Sequence, residues 1–317
     1  MRRRSLLYKS AGGGGVDPSE AASADVCLYD KGNDGLIIVP ASSWSAAAYP
    51  LTDYTPVGVV VIPGSHNVYN DGSCAVMSIK AMHCDTPAAG STTEQTMYWG
   101  VYGTDLSLQN LNVANYSTST DGGTSITGTT AYPYLPSDAF TSGNTCVHDT
   151  NAKYYDTSRT NYAPSPFLTD GSRNPMYYQT SSPSSTSNAL ADFDGVGNTS
   201  VIITARGTKD YTTQADYPAA SCCNMFHTDG TNQGDWYLPA CGELGYICAR
   251  RSAIDTTIAA LNSGYGTVGV QLATYAYWSS SEYSSSYART VNLSYGYVNH
   301  FNKSYGSRVR AFLRVGA

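Results

Sequence analysis

Short runs of apolar residues, separated by turn sequences, dominate the first eighty positions of the chain. They predict strands at 26–29, 36–39, 57–62 and 74–81. The connecting sequences are rich in Gly, Asn and Asp, which favour turns. The third run is apolar at nearly every position, which indicates a strand buried on both faces.

The C-terminal third predicts two short helices followed by strands. Pro239 suits the first position of one helix, and the capping-box spacing of Ser252 and Asp255 suits the start of the next. The second helix is expected to stop at 262–264, where Asn, Ser and Gly occur together. Apolar residues recur at every second position over 309–315, which predicts a half-exposed final strand.

The middle of the chain has a different composition. From about 86 to 189 it is rich in Ser, Thr, Gly, Tyr and Asn with little periodicity, and its many tyrosines indicate an ordered, loop-rich insertion. Residues 192–195 begin like a calcium loop, but Ile203 stands where an EF-hand requires Glu. We therefore expect a structural turn there, followed by a strand at 201–204.

The domain organisation follows from these patterns. Residues 1–24 start with a basic cluster, but their apolar run is too short for a signal peptide, so a flexible N-terminal arm is expected. Residues 25–317 are expected to form one domain interrupted by the insertion at about 86–189.

Composition and charge exclude several classes of function. Charged residues are only 13% of the 317 residues, and the net charge is −6, which argues against sequence-independent nucleic-acid binding. No apolar run approaches the ~18 residues of a membrane-spanning helix, so no membrane insertion is expected. Tyrosine has 27 copies against 6 Phe and 4 Trp, and its apolar ring with a polar tip suits contact surfaces.

The reactive residues do not form a recognisable catalytic or metal-binding pattern. The eight cysteines are too sparse for a disulfide scaffold, and buried free thiols are expected. His83-Cys84 and the Cys222-Cys223 pair lack the ligand spacing of a zinc site. Glu243 and Glu282 could be considered as an acid and a base, but anchoring backbone amides or pairing with Arg explains them more simply. No catalytic residue, metal or cofactor is expected.

Four C-terminal blocks together have a specific resemblance. They are Gly-Asp-Trp-Tyr-Leu-Pro-x-x-Gly-Glu-Leu at 234–244, Tyr-Trp-Ser-Ser-Ser-Glu at 277–282, Val-Asn-Leu-x-x-Gly-x-Val-Asn-x-x-Asn-Lys at 291–303, and Arg-Val-Arg-Ala at 308–311. In this order they resemble the C-type-lectin-like domains of bacterial and phage proteins, including the sulfatase-modifying-factor branch. The resemblance implies an α+β, C-type-lectin-like fold of short antiparallel strands with two short helices and a loop-rich insertion.

The chain also departs from that family's two best-defined activities. It contains none of the E-P-N, Q-P-D or W-N-D sequences of calcium-dependent sugar-binding lectins. Its cysteines do not match the reactive pair of the sulfatase-modifying enzymes. Neither calcium-dependent sugar binding nor formylglycine chemistry is therefore expected.

A Tyr- and Ser-rich segment at 283–307 narrows the resemblance further. Together with its framework residues it resembles the variable region of proteins diversified by diversity-generating retroelements, placed here at about 275–315. In such regions, adenine-directed mutagenesis of Asn codons yields Tyr, Ser, Thr, His, Phe, Gly, Asp or Asn. The resemblance implies that the following residues bind ligand and project from one solvent-facing surface: Tyr283, Ser285, Tyr287, Thr290, Tyr295, Tyr297, His300, Phe301, Ser304, Tyr305 and Ser307.

The expected function is therefore that of a hypervariable receptor-binding protein. The resemblance implies a phage tropism protein in the virion tail, or alternatively a bacterial surface adhesin. The expected partner is a protein or glycan receptor on a host or target cell. A homo-oligomer such as a trimer, or docking to a virion or fibre through the N-terminal arm, fits this function. The alternatives are a sulfatase-modifying-type enzyme and a purely structural virion or fibre subunit.

Overall fold

The apolar runs of the first eighty residues form strands in the computed structural model. The structure describes residues 15–64, 69, 71–106, 108, 192–205, 217–248, 250–293 and 297–316, without the side chains of Cys248 and Tyr297. The strands of these residues are, in chain order, β1 Val26–Asp30, β2 Gly35–Val39, β3 Tyr54–Ile62, β4 Cys74–Ser78, β5 Thr96–Met97, β6 Trp236–Tyr237, β7 Ala276–Glu282, β8 Tyr287–Asn292, β9 Tyr297–Asn302, β10 Ser307–Arg308 and β11 Phe312–Val315. The helices are α1 Gly195–Ala205, α2 Pro218–Met225, α3 Cys241–Cys248 and α4 Arg251–Tyr265.

The strands form two sheets. The first has six antiparallel strands in the order β2-β1-β3-β4-β11-β6, so the final strand of the chain lies inside it. The second has five strands in the order β5-β10-β7-β8-β9, and only its β10–β7 pair is parallel. The α+β class is thereby confirmed, whereas the C-type-lectin-like topology stays a prediction.

The first sheet is covered on both faces. On one face Val59 and Val61 of β3 belong to a hydrophobic cluster with Ile258 of α4. On the other face Val60 belongs to a second cluster, which includes Phe226 and both Trp236 and Trp278. The expectation that the third apolar run is buried on both faces is confirmed.

The final strand is buried more completely than its alternation predicts. Val309, Ala311 and Leu313 pack in the second cluster, and Phe312, between them, packs in the first. Arg310 is also buried. The prediction of a half-exposed strand is wrong because both faces of this sheet are covered.

The sequence patterns predict neither α1 nor α2. Residues 201–204 lie in α1 and do not form a strand, although their β-branched side chains favour one. Asn198, Thr199 and Ile202 recur at helical spacing and are buried, so tertiary packing outweighs local propensity. A Cβ at Gly195 would lie 2.3 Å from an oxygen of Glu243, so this helix can begin there only with glycine.

The start of α4 also differs from the prediction. The helix begins after Arg250, and no side chain caps it, so the capping box at Ser252 and Asp255 is wrong. Asp255 instead accepts the backbone N–H of Leu272 (2.8 Å) and pairs with Arg251 (3.3 Å). The helix ends just before Gly266, whose φ of +79° suits glycine.

Two predicted boundaries are wrong as well. Residues before 25 already join the first sheet, because Val16 bridges Ile38 and the N–H of Ala24 donates to Val60 O (2.8 Å). The expected insertion begins too early at 86, because β5 belongs to the second sheet and Trp99 is buried. Residues 1–14 and most of the insertion lie outside the described residues.

A buried carboxylate network joins α3 to the first sheet. Glu243 accepts hydrogen bonds from the hydroxyls of Tyr69 (2.6 Å) and Tyr237 (2.9 Å) and from the N–H of Ala240 (2.7 Å). Burial raises the pKa of Glu243 to about 8, although these three donors act in the opposite direction. Its interpretation as an anchor of backbone amides is confirmed.

We expect the free energy of unfolding to fall between about pH 4.5 and pH 8. Between these two pH values the folded state holds a proton on Glu243, whereas the unfolded chain has released it. The contribution of Glu243 to the free energy of unfolding is therefore greatest below about pH 4.5. Buried Asp192, whose pKa burial also raises, adds an effect of the same sign. Urea titrations at several pH values should show this slope. It should become clearly shallower in Glu243→Gln but not in the exposed control Glu20→Gln, and an unchanged slope in Glu243→Gln would contradict the assignment.

The two buried tryptophans should each be essential to the core. Trp236 and Trp278 are fully buried, and their indole N–H groups donate to Thr231 Oγ1 (3.0 Å) and Met97 O (2.8 Å). Replacing either with Ala should lower the free energy of unfolding by ~3–5 kcal/mol. Thermal melts should show this loss, while Leu51→Ala, at an exposed position, should have little effect. Unchanged melts in both Trp variants would place the core elsewhere.

Candidate functional site

Exposed tyrosines collect at one end of the second sheet. Two turns lie there, 283–286 between β7 and β8 and 303–306 between β9 and β10. The segment 98–106 lies against both. The N–H of Gly103 donates to Ser285 O (3.0 Å), and the N–H of Trp99 donates to Lys303 O (3.0 Å). We name this surface the tyrosine face, with these members: Tyr98, Tyr102, Tyr283, Tyr287 and Tyr305, all exposed, and half-buried His300.

Three rings of the tyrosine face pack on one another. The ring of Tyr283 is stacked on His300 with centroids 4.1 Å apart and planes within 7°. Tyr287 meets both rings edge-on, at 6.3 Å from Tyr283 and 5.4 Å from His300. The guanidinium carbon of Arg289 lies 4.5 Å from the centre of the Tyr283 ring, and Arg289 itself is buried. The rings are thus held in place by contacts within the protein.

Strand register explains this cluster. Arg289 of β8 lies opposite His300 of β9, and Tyr287 lies opposite Asn302. Side chains two residues apart on a strand share a face, so Tyr287, Arg289 and His300 project from the same side. A bulge in β7, where Trp278 to Glu282 oppose only Thr290 to Ala288, changes the direction of the chain just before Tyr283.

The electrostatics of the cluster are those of neutral rings above one buried cation. Burial lowers the pKa of His300, and the positive charge of Arg289 lowers it further, so the imidazole is neutral at neutral pH. Burial also lowers the pKa of Arg289, but a guanidinium remains charged in proteins. This arrangement suits stacking and hydrogen bonding through tyrosine hydroxyls.

The first turn is held by its own backbone. The N–H groups of Tyr283 (3.0 Å) and Ser284 (3.1 Å) both donate to Tyr287 O. In the second turn Asn302 accepts from the N–H (2.9 Å) and the hydroxyl (2.7 Å) of Ser304, and its carbonyl accepts the N–H of Tyr305 (2.8 Å). The Ser304 and Asn302 side chains therefore shape the second turn, which carries Tyr305.

A buried ion pair holds both turns and the neighbouring segment together. Glu282, just before the first turn, pairs with Lys303, at the start of the second, and both side chains are fully buried. Lys303 Nζ also donates to Thr104 O (2.7 Å), and Glu282 Oε2 accepts the N–H groups of Leu106 and Leu108 at 3.0 Å each. Burial lowers the pKa of Lys303, while hydrogen bonding and the charge of Glu282 raise it.

The structure brings together six of the eleven predicted ligand-binding residues. Tyr283, Tyr287 and Tyr305 are exposed. Three others in or beside the two turns are half-buried: Ser285, His300 and Ser304. Phe301 is half-buried too, but it lies opposite Ala288 on the other face of the sheet, where its ring packs on the second cluster and meets Trp278 edge-on at 6.2 Å.

The predicted exposure is wrong at two positions. Thr290 is fully buried because it pairs with Trp278 across β7 and β8 and lies on the same face as buried Ala288. Ser307 is buried because its hydroxyl donates to Ala276 O (2.8 Å), which ties β10 to β7. Ser and Thr look alike in sequence whether they face water or a neighbouring strand.

A single surface for all eleven residues is also wrong. Tyr297 pairs with Asn292, five positions along β9 from Asn302, which places it roughly 17 Å from the tyrosine face at about 3.3 Å per residue. Tyr295, in the turn between β8 and β9, lies outside the described residues. Tyr275, 58% exposed, lies at that far end as well, because its carbonyl accepts the N–H of Leu293.

The sequence patterns do not predict three residues of this site. Tyr98 and Tyr102 fall within the expected insertion, and Arg289 belongs to no motif. The one sequence feature that could indicate an ordered segment there is the Trp-Gly pair at 99–100, which stands between the two tyrosines. Gly100 has no room for a Cβ, which would lie 2.0 Å from the Tyr217 ring.

The described residues contain neither a cluster of metal-binding side chains nor a membrane-spanning helix. No three His, Cys, Asp or Glu side chains of this part of the chain are grouped as a metal ion would require. Among the same residues, no helix has the length and apolar character needed to cross a membrane.

Comparison with known proteins adds one distant structural likeness. No protein-family model and no curated protein matches the chain. The structure of a fimbrial protein from Bacteroides ovatus aligns with a TM-score of 0.43 at 17% identity, over 94% of this chain and 49% of that chain. The chain thus spans about half the length of that protein. A likeness at this level carries no argument about fold type or function.

The Glu282–Lys303 pair should behave as one unit. Glu282→Gln or Lys303→Met alone leaves one partner buried without its counter-charge and should lower the free energy of unfolding by ~3–5 kcal/mol. The double variant should lose less than the sum of the two. Asp71→Asn is the control, because it removes a charge pairing with Arg314 (2.8 Å) at the surface and should cost at most ~1 kcal/mol. Additive losses measured in urea would contradict the coupling.

Proposed function

We propose that this chain is a receptor-binding protein and that the tyrosine face is its recognition surface. The observation that carries the proposal is the packing of exposed Tyr283 and Tyr287 on half-buried His300, on a frame fixed by buried charges. Tyrosine gives large contact area at a small cost in side-chain entropy, and small polar residues between the rings adapt to the ligand. Aromatic anchors of this kind dominate the binding energy of protein interfaces.

The proposal includes hypervariability. The exposed members that follow β7 are residue types reachable from an Asn codon by changing adenines, whereas buried Glu282 and Lys303 are not. A diversified surface requires a fold whose stability does not depend on the varied side chains. Exposed substitutions outside caps and networks usually change stability by no more than ~0.5 kcal/mol.

The proposed partner is a protein or glycan receptor on a cell surface. A phage tail and a bacterial surface are the two settings in which a diversified face of this kind would meet such a receptor. On a phage it would set host range, and on a bacterium it would act in adhesion.

Sequencing the coding region for 275–315 across a population tests the hypervariability. Changes should occur in the codons for Tyr283, Tyr287, His300 and Tyr305, at the bases that are adenine in the Asn codon from which each derives. They should be absent at the codons for Glu282, Val291 and Lys303, whose side chains are buried. A reverse transcriptase gene and a near-repeat of the region should lie nearby. Their absence, or changes spread evenly over buried and exposed codons, would contradict the proposal.

Recognition and folding should be separable on the tyrosine face. Replacing Tyr283, Tyr287 and Tyr305 together with Ser should leave the melting temperature nearly unchanged. The same variant should weaken labelling of intact cells that bind the unchanged protein, because one aromatic anchor can contribute 2 kcal/mol or more. Flow cytometry measures the labelling.

Tyr275→Ser is the matched control, since Tyr275 is the same residue type at the opposite end of the same sheet. It should leave labelling intact. Loss of labelling in the control alone would indicate that the binding site lies at the end of the sheet that holds Tyr297. Unfolding of the triple variant would indicate that its three tyrosines are core residues.

A further inference from the structure

Helix α2 and the loop after β4 bring two cysteines into contact. Cys222 is buried in α2, Cys84 is half-buried in the loop, and their sulfurs are 3.9 Å apart. They are 138 positions apart in sequence, so folding alone brings them together. The structure gives both as thiols.

The loop is fixed by a hydrogen bond within itself and by contacts to the residues that follow α2. The N–H of Cys84 donates to Gln95 Oε1 (2.8 Å), and the N–H of His227, just after α2, donates to Ala88 O (3.0 Å). Gly90 adopts a φ of +62° where a Cβ would lie 3.0 Å from the ring of Phe226. The two sulfurs therefore stay close while the fold persists.

The two thiols have different chemical environments. Cys222 donates its S–H to the sulfur of Cys84, and this hydrogen bond together with burial raises the pKa of Cys222. Cys84 accepts that hydrogen bond and reaches solvent. Cys84 is therefore the sulfur that an oxidant meets first, and Cys222 is positioned to react second.

We propose that Cys84 and Cys222 form a disulfide by exchange with a small-molecule disulfide such as oxidised glutathione. The Cys84 thiolate attacks one glutathione sulfur, a mixed disulfide forms, and the first glutathione leaves as a thiolate. Cys222 then attacks the Cys84 sulfur, its proton passes to the sulfur of the second glutathione, and that glutathione leaves as a thiol. Two protein thiols are oxidised, and one glutathione disulfide is reduced to two thiols.

The geometry requires only a local adjustment. A disulfide has sulfurs about 2.05 Å apart, so they must approach by roughly 1.9 Å. Side-chain rotation and a small shift of the half-exposed loop can supply this. The bond would close a loop of about 140 residues, and long closed loops restrict the unfolded chain strongly.

The bond would also act on the neighbourhood of the tyrosine face. The N–H of Ala219 in α2 donates to Tyr98 O (3.2 Å), and the ring of Tyr217 meets that of Trp99 edge-on at 5.7 Å. Fixing α2 to the loop therefore fixes the support of segment 98–106. The disulfide itself does not depend on the proposed function, since it follows from the two sulfurs alone.

The test is to incubate the full chain with mixtures of oxidised and reduced glutathione, then map its peptides by mass spectrometry. Under oxidising mixtures we expect the loss of two thiols, a peptide joining Cys84 to Cys222, and a melting temperature several degrees higher. Dithiothreitol should reverse all three. Cys84→Ser and Cys222→Ser should each abolish the linked peptide and the rise in melting temperature.

Cys223→Ser is the matched control, because it changes the neighbouring thiol of the same helix and should still form the linked peptide. The map of the unchanged protein decides the question even where a variant folds poorly. A stable glutathione adduct on Cys84, a linked peptide containing Cys223 in place of Cys222, or a full count of thiols under oxidising mixtures would each overturn the proposal.

Discussion

The tyrosine face depends on the buried ion pair between Glu282 and Lys303. Neither charge reaches water, so each requires the other and the surrounding backbone groups to offset its loss of hydration. Those groups belong to residues 104–108, which are far from both partners in sequence. The pair therefore gathers three chain segments, and Tyr283 and Ser304 directly follow its two members. The direction in which the exposed rings project is therefore set by an interaction that is fully buried.

A second buried charge connects this sheet to the first. The guanidinium of Arg310 pairs with Glu94 (2.7 Å) and donates to the carbonyls of Ile79 (3.1 Å) and Val270 (2.7 Å). Tyr277 of β7 donates to the same oxygen of Glu94 (2.8 Å). The coulombic attraction of Glu94 helps to raise the pKa of Arg310 against the effect of burial, which keeps the charge in place. The fold thus rests on buried ion pairs and two apolar clusters. The exposed rings can therefore be replaced with little effect on the free energy of unfolding.

The sequence predicts those elements whose formation depends on neighbouring residues. The early strands are predictable because apolar runs and turn residues act over a few positions. Helix α1 is not predictable in this way, because its β-branched residues favour a strand and only the packing of Asn198 and Ile202 makes it helical. Thr290 and Ser307 were placed at the surface because a hydroxyl gives no sign of whether water or a strand receives it. Arg289 and Tyr102 were missed because their partners come from other segments.

A deep mutational scan of residues 275–315, scored by resistance of the folded protein to protease, measures which positions the fold depends on. Tyr283, Tyr287 and Tyr305 should tolerate most residue types, while Glu282, Trp278, Lys303 and Arg310 should tolerate almost none. Thr290 and Ser307 should behave like the second group. Equal sensitivity of the exposed tyrosines and the buried charges would contradict the separation of the tyrosine face from the framework that supports it.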